Sequence, residues 1–218
     1  YNQKYPGLFT IISNETNLGL GPALAKGIVT SRNELIARMD SDDISEKTRC
    51  EKQLLAFEKD TDLEMVGSFE AEFIGEKDNV VSIHRVPETH SDIAKFMRRR
   101  CAILHPTVMY KKSAVIRSGN YHSVPSYEDY DLFARMVLEY NVRSYNIQEN
   151  LYYIRTSEDF FKRRGGLKYA KTVLNFKWKQ HKKGYMSLAD FCISGLGQAF
   201  VCVLPNSLRK VIYLKLLR

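Results

Sequence analysis

Short apolar runs and amphipathic stretches take turns along this chain, and that alternation confines the fold more than any other feature. Leu8-Phe9-Thr10-Ile11-Ile12, bounded by polar residues, reads as a buried strand. Asn17-Leu18-Gly19-Leu20-Gly21-Pro22 supplies turn residues and a proline suited to a first helical turn, and Ala23 to Val29 continues as a short helix. Leu35 to Met39 is a second strand. From Thr48 to Lys59, Leu54, Leu55 and Phe57 sit among charges, as on a surface helix. Met65-Val66, Glu70 to Ile74 and Val80-Val81 predict further strands. Ile93, Ala94, Phe96 and Met97 mark one helix face, and Leu132, Phe133, Met136, Val137 and Tyr140 mark another. Strands interleaved with helices in this way predict an α/β sheet, not a sandwich.

Charge divides the chain in two. Residues 1–154 carry 19 basic and 22 acidic side chains, whereas residues 155–218 carry 14 basic and 3 acidic. A near-neutral body with a basic tail predicts a polyanionic partner for the tail. We therefore divide the chain into a sheet domain, 1–155, and a helical basic region, 156–218, with a basic helix over 158–183 broken at Gly184. Phe191 to Leu208 is uncharged but includes Gln198, Pro205 and Asn206. A spanning helix needs about 20 mostly apolar residues, so this segment predicts attachment to an anionic membrane surface without crossing it. Nucleic-acid binding is disfavoured, because the charge is confined to the tail and no nucleic-acid motif accompanies it. The four cysteines form no CxxC pair, which suits free thiols in a reducing compartment.

Three carboxylates within four positions, Asp40-Ser41-Asp42-Asp43, close the Leu35 to Met39 strand. Ligands of open α/β sheets bind at such strand ends. Hard, mutually repelling oxygens suit Mg²⁺ or Mn²⁺, and the competing reading is a turn whose aspartates cap the next helix. A second acidic cluster, Glu128-Asp129-Tyr130-Asp131, opens the Leu132 to Tyr140 helix. It reads either as a capping box from Ser126 to Asp129 or as a carboxylate placed for general-base work. His105-Pro106-Thr107 lies between the clusters. Arg98-Arg99-Arg100 reads as a solvated face, while Arg163-Arg164-Gly165-Gly166 offers guanidiniums beside free amides for phosphate.

In that order, Asn17-Leu18-Gly19, Ala37 to Asp43, Arg49 with Gln53, His105-Pro106-Thr107 and Glu128 to Leu132 resemble family 2 glycosyltransferases of the bacterial capsule and exopolysaccharide type. Leu151 to Arg155, Arg163 to Gly166 and the Pro205 to Arg218 ending extend the resemblance over nearly the whole chain. It implies a GT-A fold, an α/β domain with a mostly parallel sheet that binds a nucleotide-sugar, expected to be a UDP-sugar. Asp40 and Asp42 would hold Mn²⁺ or Mg²⁺, with Asp42 the more direct ligand. Asn17, Gly19, Arg38, Asp40, His105 and Arg164 would lie on the donor side. Asp129 would be the base of an inverting transfer, with Asp131 second and Glu128 beside them. The acceptor would be lipid-linked or polysaccharide, and the protein would sit on the cytoplasmic face of the membrane.

The chain departs from the family pattern at Ala25, usually Asn, and near Lys47, where Pro is usual. Nothing before Leu8 matches the family's opening strands, so about a quarter of the domain is expected to be missing. The exposed edge would then favour self-association. The rival expectation is an inactive relative that keeps the fold and only a binding role.

Overall fold

The computed structural model describes residues 3–156 and 165–205, together with Leu208, Arg209 and Ile212. Its centre is one six-stranded sheet: β1 (Leu35–Ala37), β2 (Ile44–Ser45), β3 (Met65–Phe73), β4 (Val80–His84), β5 (Met109–Lys111) and β6 (Ser144–Arg155). The order is β1-β5-β3-β6-β2, with β4 alongside the second half of β3. β3 and β6 run parallel and the other pairs antiparallel, so the α/β expectation holds but the sheet is mixed. Segments 65–66 and 70–74, read as separate strands, belong to the single strand β3. A register shift against β6 between Ser68 and Glu70 absorbs the break in pattern.

Residues 8–12 are not a strand. Leu8 and Ile11 are 68% and 79% exposed, and no described strand pairs with the segment. An extended apolar run becomes a strand only where a neighbour offers it a ladder, and β1 is paired to β5 alone.

Neighbouring residues on a strand point to opposite faces, and here both faces are covered. Met65 and Tyr110 enter one core with Ile93, Met97, Leu132 and Phe133. Val66 and Met109 enter a second with Phe57, Leu63 and Leu151. Helix α2 (Arg49–Lys59) therefore lies on one face, and α3 (His90–Met97) and α5 (Glu128–Ala134) on the other. Between them in sequence, α4 (Lys112–Arg117) follows β5, and a π-helical segment, Arg135–Glu139, extends α5. Gly67 of β3 faces Asn146 of β6. A Cβ there would stand 2.3 Å from Asn146 Oδ1.

The first helix, α1 (Leu20–Thr30), packs its Gly21 face on the segment before α5. At the C-terminal end, α6 (Leu167–Lys182) is stopped at Gly184 (φ +78°). The short α7 (Leu188–Asp190), a π-helical stretch (Phe191–Leu196) and α8 (Gly197–Val203) then return along α6. The Gly166 N–H donates to the Cys202 carbonyl at 2.8 Å, closing this hairpin. Phe176 stacks on Tyr127 at 4.1 Å, which fastens the hairpin to the start of α5. Among the described residues, no helix is long and apolar enough to cross a membrane.

Candidate active site

β1 ends at Ala37, two residues short of the expected Met39, and Asp40 to Asp43 lie beyond its C-terminal end after Arg38 and Met39. Arg38, buried, grips the Asp40 carboxylate in a fork, Nη1 to Oδ2 at 2.6 Å and Nη2 to Oδ1 at 2.5 Å. Both Asp40 oxygens are thus engaged, while Asp42 is exposed. Asp43 accepts the Arg155 backbone N–H at 2.9 Å. Burial raises the Asp43 pKa, and the charges of Asp40 and Asp42 add to it against hydrogen bonds from Arg155 and Tyr152. Tyr152 ties the turn to the sheet by accepting the Asp40 N–H at 2.9 Å.

The underside of this turn is braced from α2. Arg49 Nη1 donates to the Arg38 and Pro106 carbonyls at 3.0 and 3.1 Å. Gln53 Nε2 donates to the carbonyls of Thr107 and Val66 at 2.7 and 3.0 Å. Both side chains are buried, so this helix turns polar groups inward to satisfy loop carbonyls that strand pairing leaves open. Their part is structural.

His105 lies between the two acidic clusters. Its Nε2 is 2.9 Å from the Tyr121 hydroxyl, which is 3.2 Å from that of Tyr110. Burial, and then the nearby Arg38 charge, push the His105 pKa down to about 3, so the ring is neutral at physiological pH. Burial also lifts the Tyr121 pKa; Arg38 opposes that rise and Asp129 adds to it. His105, Tyr121 and Tyr110 thus form one buried, hydrogen-bonded wall.

Helix α5 begins at Tyr127 without a side-chain cap, and Ser126 before it has φ +70°. The Ser126 capping box is thus not the arrangement adopted. Asp129 is half-buried and its Oδ1 accepts the Tyr130 N–H at 2.8 Å. Asp131 differs. It is 4% exposed and held by Arg135 Nε at 3.0 Å, His122 Nδ1 at 3.1 Å and Lys183 Nζ at 3.5 Å. Glu128 is half-buried beside Gly21. Asn17 Oδ1 accepts the Gly19 N–H at 2.9 Å, shaping the turn into α1. Arg164 lies outside the described residues. Sequence reasoning passed over Tyr152, Tyr121 and Arg155 as site-shaping groups, since each reaches the turn or wall from a distant segment.

A cavity of about 810 Å³ near α2, bordered by Lys52, Leu55, Asp60, His90, Arg143 and Tyr145, contains none of these carboxylates. Among the described residues, no group of three His, Cys, Asp or Glu side chains is arranged to hold a metal. Asp40 and Asp42 do fit a cation bound through one or two carboxylates and completed by substrate phosphates, as Mg²⁺ often is.

Residues 1–122 match the model of Glycosyl transferase family 2. The chain belongs to that family. It is 36% identical to the UDP-Gal:alpha-D-GlcNAc-diphosphoundecaprenol beta-1,3-galactosyltransferase of Escherichia coli, over 94% of this chain and 74% of that one. To the amylovoran biosynthesis glycosyltransferase AmsE of Erwinia amylovora it is 33% identical, over 74% of this chain and 60% of that one. In fold, this family 2 chain is similar to a mannosyltransferase from Pyrobaculum calidifontis solved with GDP-Man and Mn²⁺. The TM-score is 0.56 at 13% identity, covering 96% of this chain and 63% of the other. It is also similar to residues 1–349 of Staphylococcus aureus TarS, with TM-score 0.50 and 18% identity over 74% of this chain and 47% of that one. These likenesses give the GT-A fold expected from sequence.

Proposed function

We propose that the protein is an inverting glycosyltransferase that moves a sugar from a UDP-sugar to a lipid-linked or polysaccharide acceptor in surface polysaccharide assembly. The observation that carries this reading is the carboxylate turn after β1, where buried Arg38 grips Asp40 and leaves Asp42 exposed, together with the half-buried Asp129 at the start of α5. An inverting transfer needs two opposed functions: one site for the departing diphosphate and one base for the incoming hydroxyl.

In this reading Asp129 takes the proton of an acceptor hydroxyl. The oxygen attacks the anomeric carbon from the face opposite the diphosphate, and the broken bond's electron pair leaves on the diphosphate oxygen. Arg38, buried and bound to Asp40, supports the diphosphate side. Asp40 and Asp42 would hold Mn²⁺ or Mg²⁺, which when bound stabilises charge on the leaving diphosphate. His105, neutral and bonded to Tyr121, orders the wall without contributing charge. Asn17, Gly19 and Arg164 complete the donor side by resemblance.

The C-terminal hairpin supports attachment to the inner face of an anionic membrane, where a lipid-linked acceptor would lie. Exposed Leu8 and Ile11 support self-association of the chain. A binding-only role is the second reading, favoured by the full engagement of Asp40 with Arg38. Titrating UDP into the protein with and without Mn²⁺, followed by sugar transfer to a lipid-linked acceptor, separates the two. Mn²⁺-dependent UDP binding with transfer supports the enzyme; binding without transfer supports the second reading.

A further inference from the structure

The end of α3 runs into Arg98-Arg99-Arg100, all three exposed. With Lys95 they border a cavity of about 600 Å³ whose acidic members are Asp92 and Asp190. Lys95, Arg98 and Arg99 face two carboxylates there. Both carboxylates are already engaged: Asp92 accepts the Thr89 hydroxyl at 2.8 Å, and Asp190 accepts Arg99 Nε at 2.5 Å and the Ser187 hydroxyl at 2.8 Å. Among the described residues Arg98 has no ion pair, and Lys95 reaches Asp92 only at 3.5 Å with its side chain 75% exposed. Phe96 gives the cavity an apolar wall, with the Arg100 guanidinium 5.6 Å above its ring.

The position of the cavity carries the argument further. Asp190 ends α7, so the Arg99–Asp190 pair joins the cavity to the C-terminal hairpin. Lys177 of α6, buried, donates both to the Arg99 carbonyl and to Ser194 Oγ in the π-helical stretch, fastening the same junction. From there the returning limb exposes Ile193, Leu196, Phe200 and Val203, at helical spacings of three, four and three residues along one face. No charged residue occurs between Phe191 and Pro205. A positive cavity thus adjoins an uncharged apolar helix face. That pairing matches the boundary of a bilayer, where phosphates lie above acyl chains.

We propose that Lys95, Arg98 and Arg99 bind the headgroup phosphates of an anionic bilayer, with the exposed face of the α7–α8 limb resting in the interface. This rests on the membrane-acceptor reading above and deepens it by giving the sheet domain its own headgroup site, outside the basic tail.

The test is co-sedimentation of the whole protein with vesicles of phosphatidylglycerol and phosphatidylcholine, against phosphatidylcholine alone. One basic group near such a surface changes partition about fivefold, so Lys95→Gln with Arg98→Gln should lower it roughly twentyfold. Arg98→Lys alone should leave it nearly unchanged, and Ile193→Ser with Phe200→Ser should lower it at any charge. The Gln pair is mild enough to keep the fold, which a thermal melt checks; Lys95→Glu with Arg98→Glu then enlarges the effect. Unchanged partition of the Gln pair would overturn the proposal. So would release by millimolar inorganic phosphate beyond that by chloride at equal ionic strength, which would mark a free-phosphate site. UDP binding, measured in parallel, should be unaltered by every variant. Its absence in the unmutated protein would count against the transferase reading alone.

Discussion

The Tyr152 hydroxyl, carried on β6, accepts the backbone N–H of Asp40, 112 positions earlier, at 2.9 Å. It also bonds to Asp43, and its ring lies under the Arg49 guanidinium at 5.3 Å. One buried phenol therefore sets the conformation of the carboxylate turn from the far end of the sheet. Tyr152→Phe would leave the Asp40 N–H without its acceptor, at a cost of about 1–3 kcal/mol. We expect a lowered melting temperature together with weaker Mn²⁺-dependent UDP binding. A normal affinity in the variant would show that the hydroxyl does not hold the turn.

Asp42 is the exposed carboxylate of that turn, whereas both oxygens of Asp40 are bound to Arg38. Asp42→Ala should abolish the Mn²⁺ dependence of UDP binding with little change in stability. Calorimetric titration reads the first and a melt the second.

Asp129 and Asp131 separate by what their loss should disturb. Removing a general base lowers turnover roughly 10²- to 10⁴-fold, so Asp129→Asn should cripple transfer and keep UDP affinity. Asp131→Asn should instead destabilise the fold, because it leaves buried Arg135 without its ion pair. If Asp131→Asn were stable and inactive, the base would be Asp131.

His105 makes stability depend on pH. Its pKa is about 3 in the folded protein and about 6.5 in the unfolded chain. Between those values the unfolded chain binds the extra proton, so stability falls as pH drops from about 6.5 toward 3 and is unaffected by this group above it. The slope approaches about 1.4 kcal/mol per pH unit. Urea midpoints at pH 7 and pH 5 should differ less in His105→Gln than in the unmutated protein.

Gly21 marks the contact between α1 and the segment before α5. A Cβ there would stand 2.3 Å from the His122 backbone carbonyl. Gly21→Ala should therefore destabilise by about 1–3 kcal/mol, the usual range for overpacking. An unchanged melting temperature would show that α1 can move away freely.

The path from sequence to site is uneven, and particular residues show why. Gly184, Pro22 and the Leu132 to Val137 stripe act through local geometry, so their helix ends and faces were readable. Leu8 to Ile12 looked like a strand because its composition is that of one, yet a strand also needs a partner. Arg49 and Gln53 belonged to a surface helix by pattern, but they are buried because loop carbonyls from three segments converge on them. Arg98 to Arg100 read as a solvated face and are exposed, but the Arg99–Asp190 pair that ties them to the hairpin could not be read from sequence.

What the sequence by itself determined is what short-range chemistry can encode: the alternation of strands and helices, the two acidic clusters and their order, and the break in charge at residue 155. Tertiary structure decided the rest. Nothing in the sequence signals that His105, Tyr110 and Tyr121 will share one buried wall, which only the packing of β5 and the segment before α5 brings together. The separate fates of Asp129 and Asp131 likewise follow from burial. Two residues along a helix turn the side chain by about half a circle, and here that turn carries Asp131 into a cage of Arg135, His122 and Lys183.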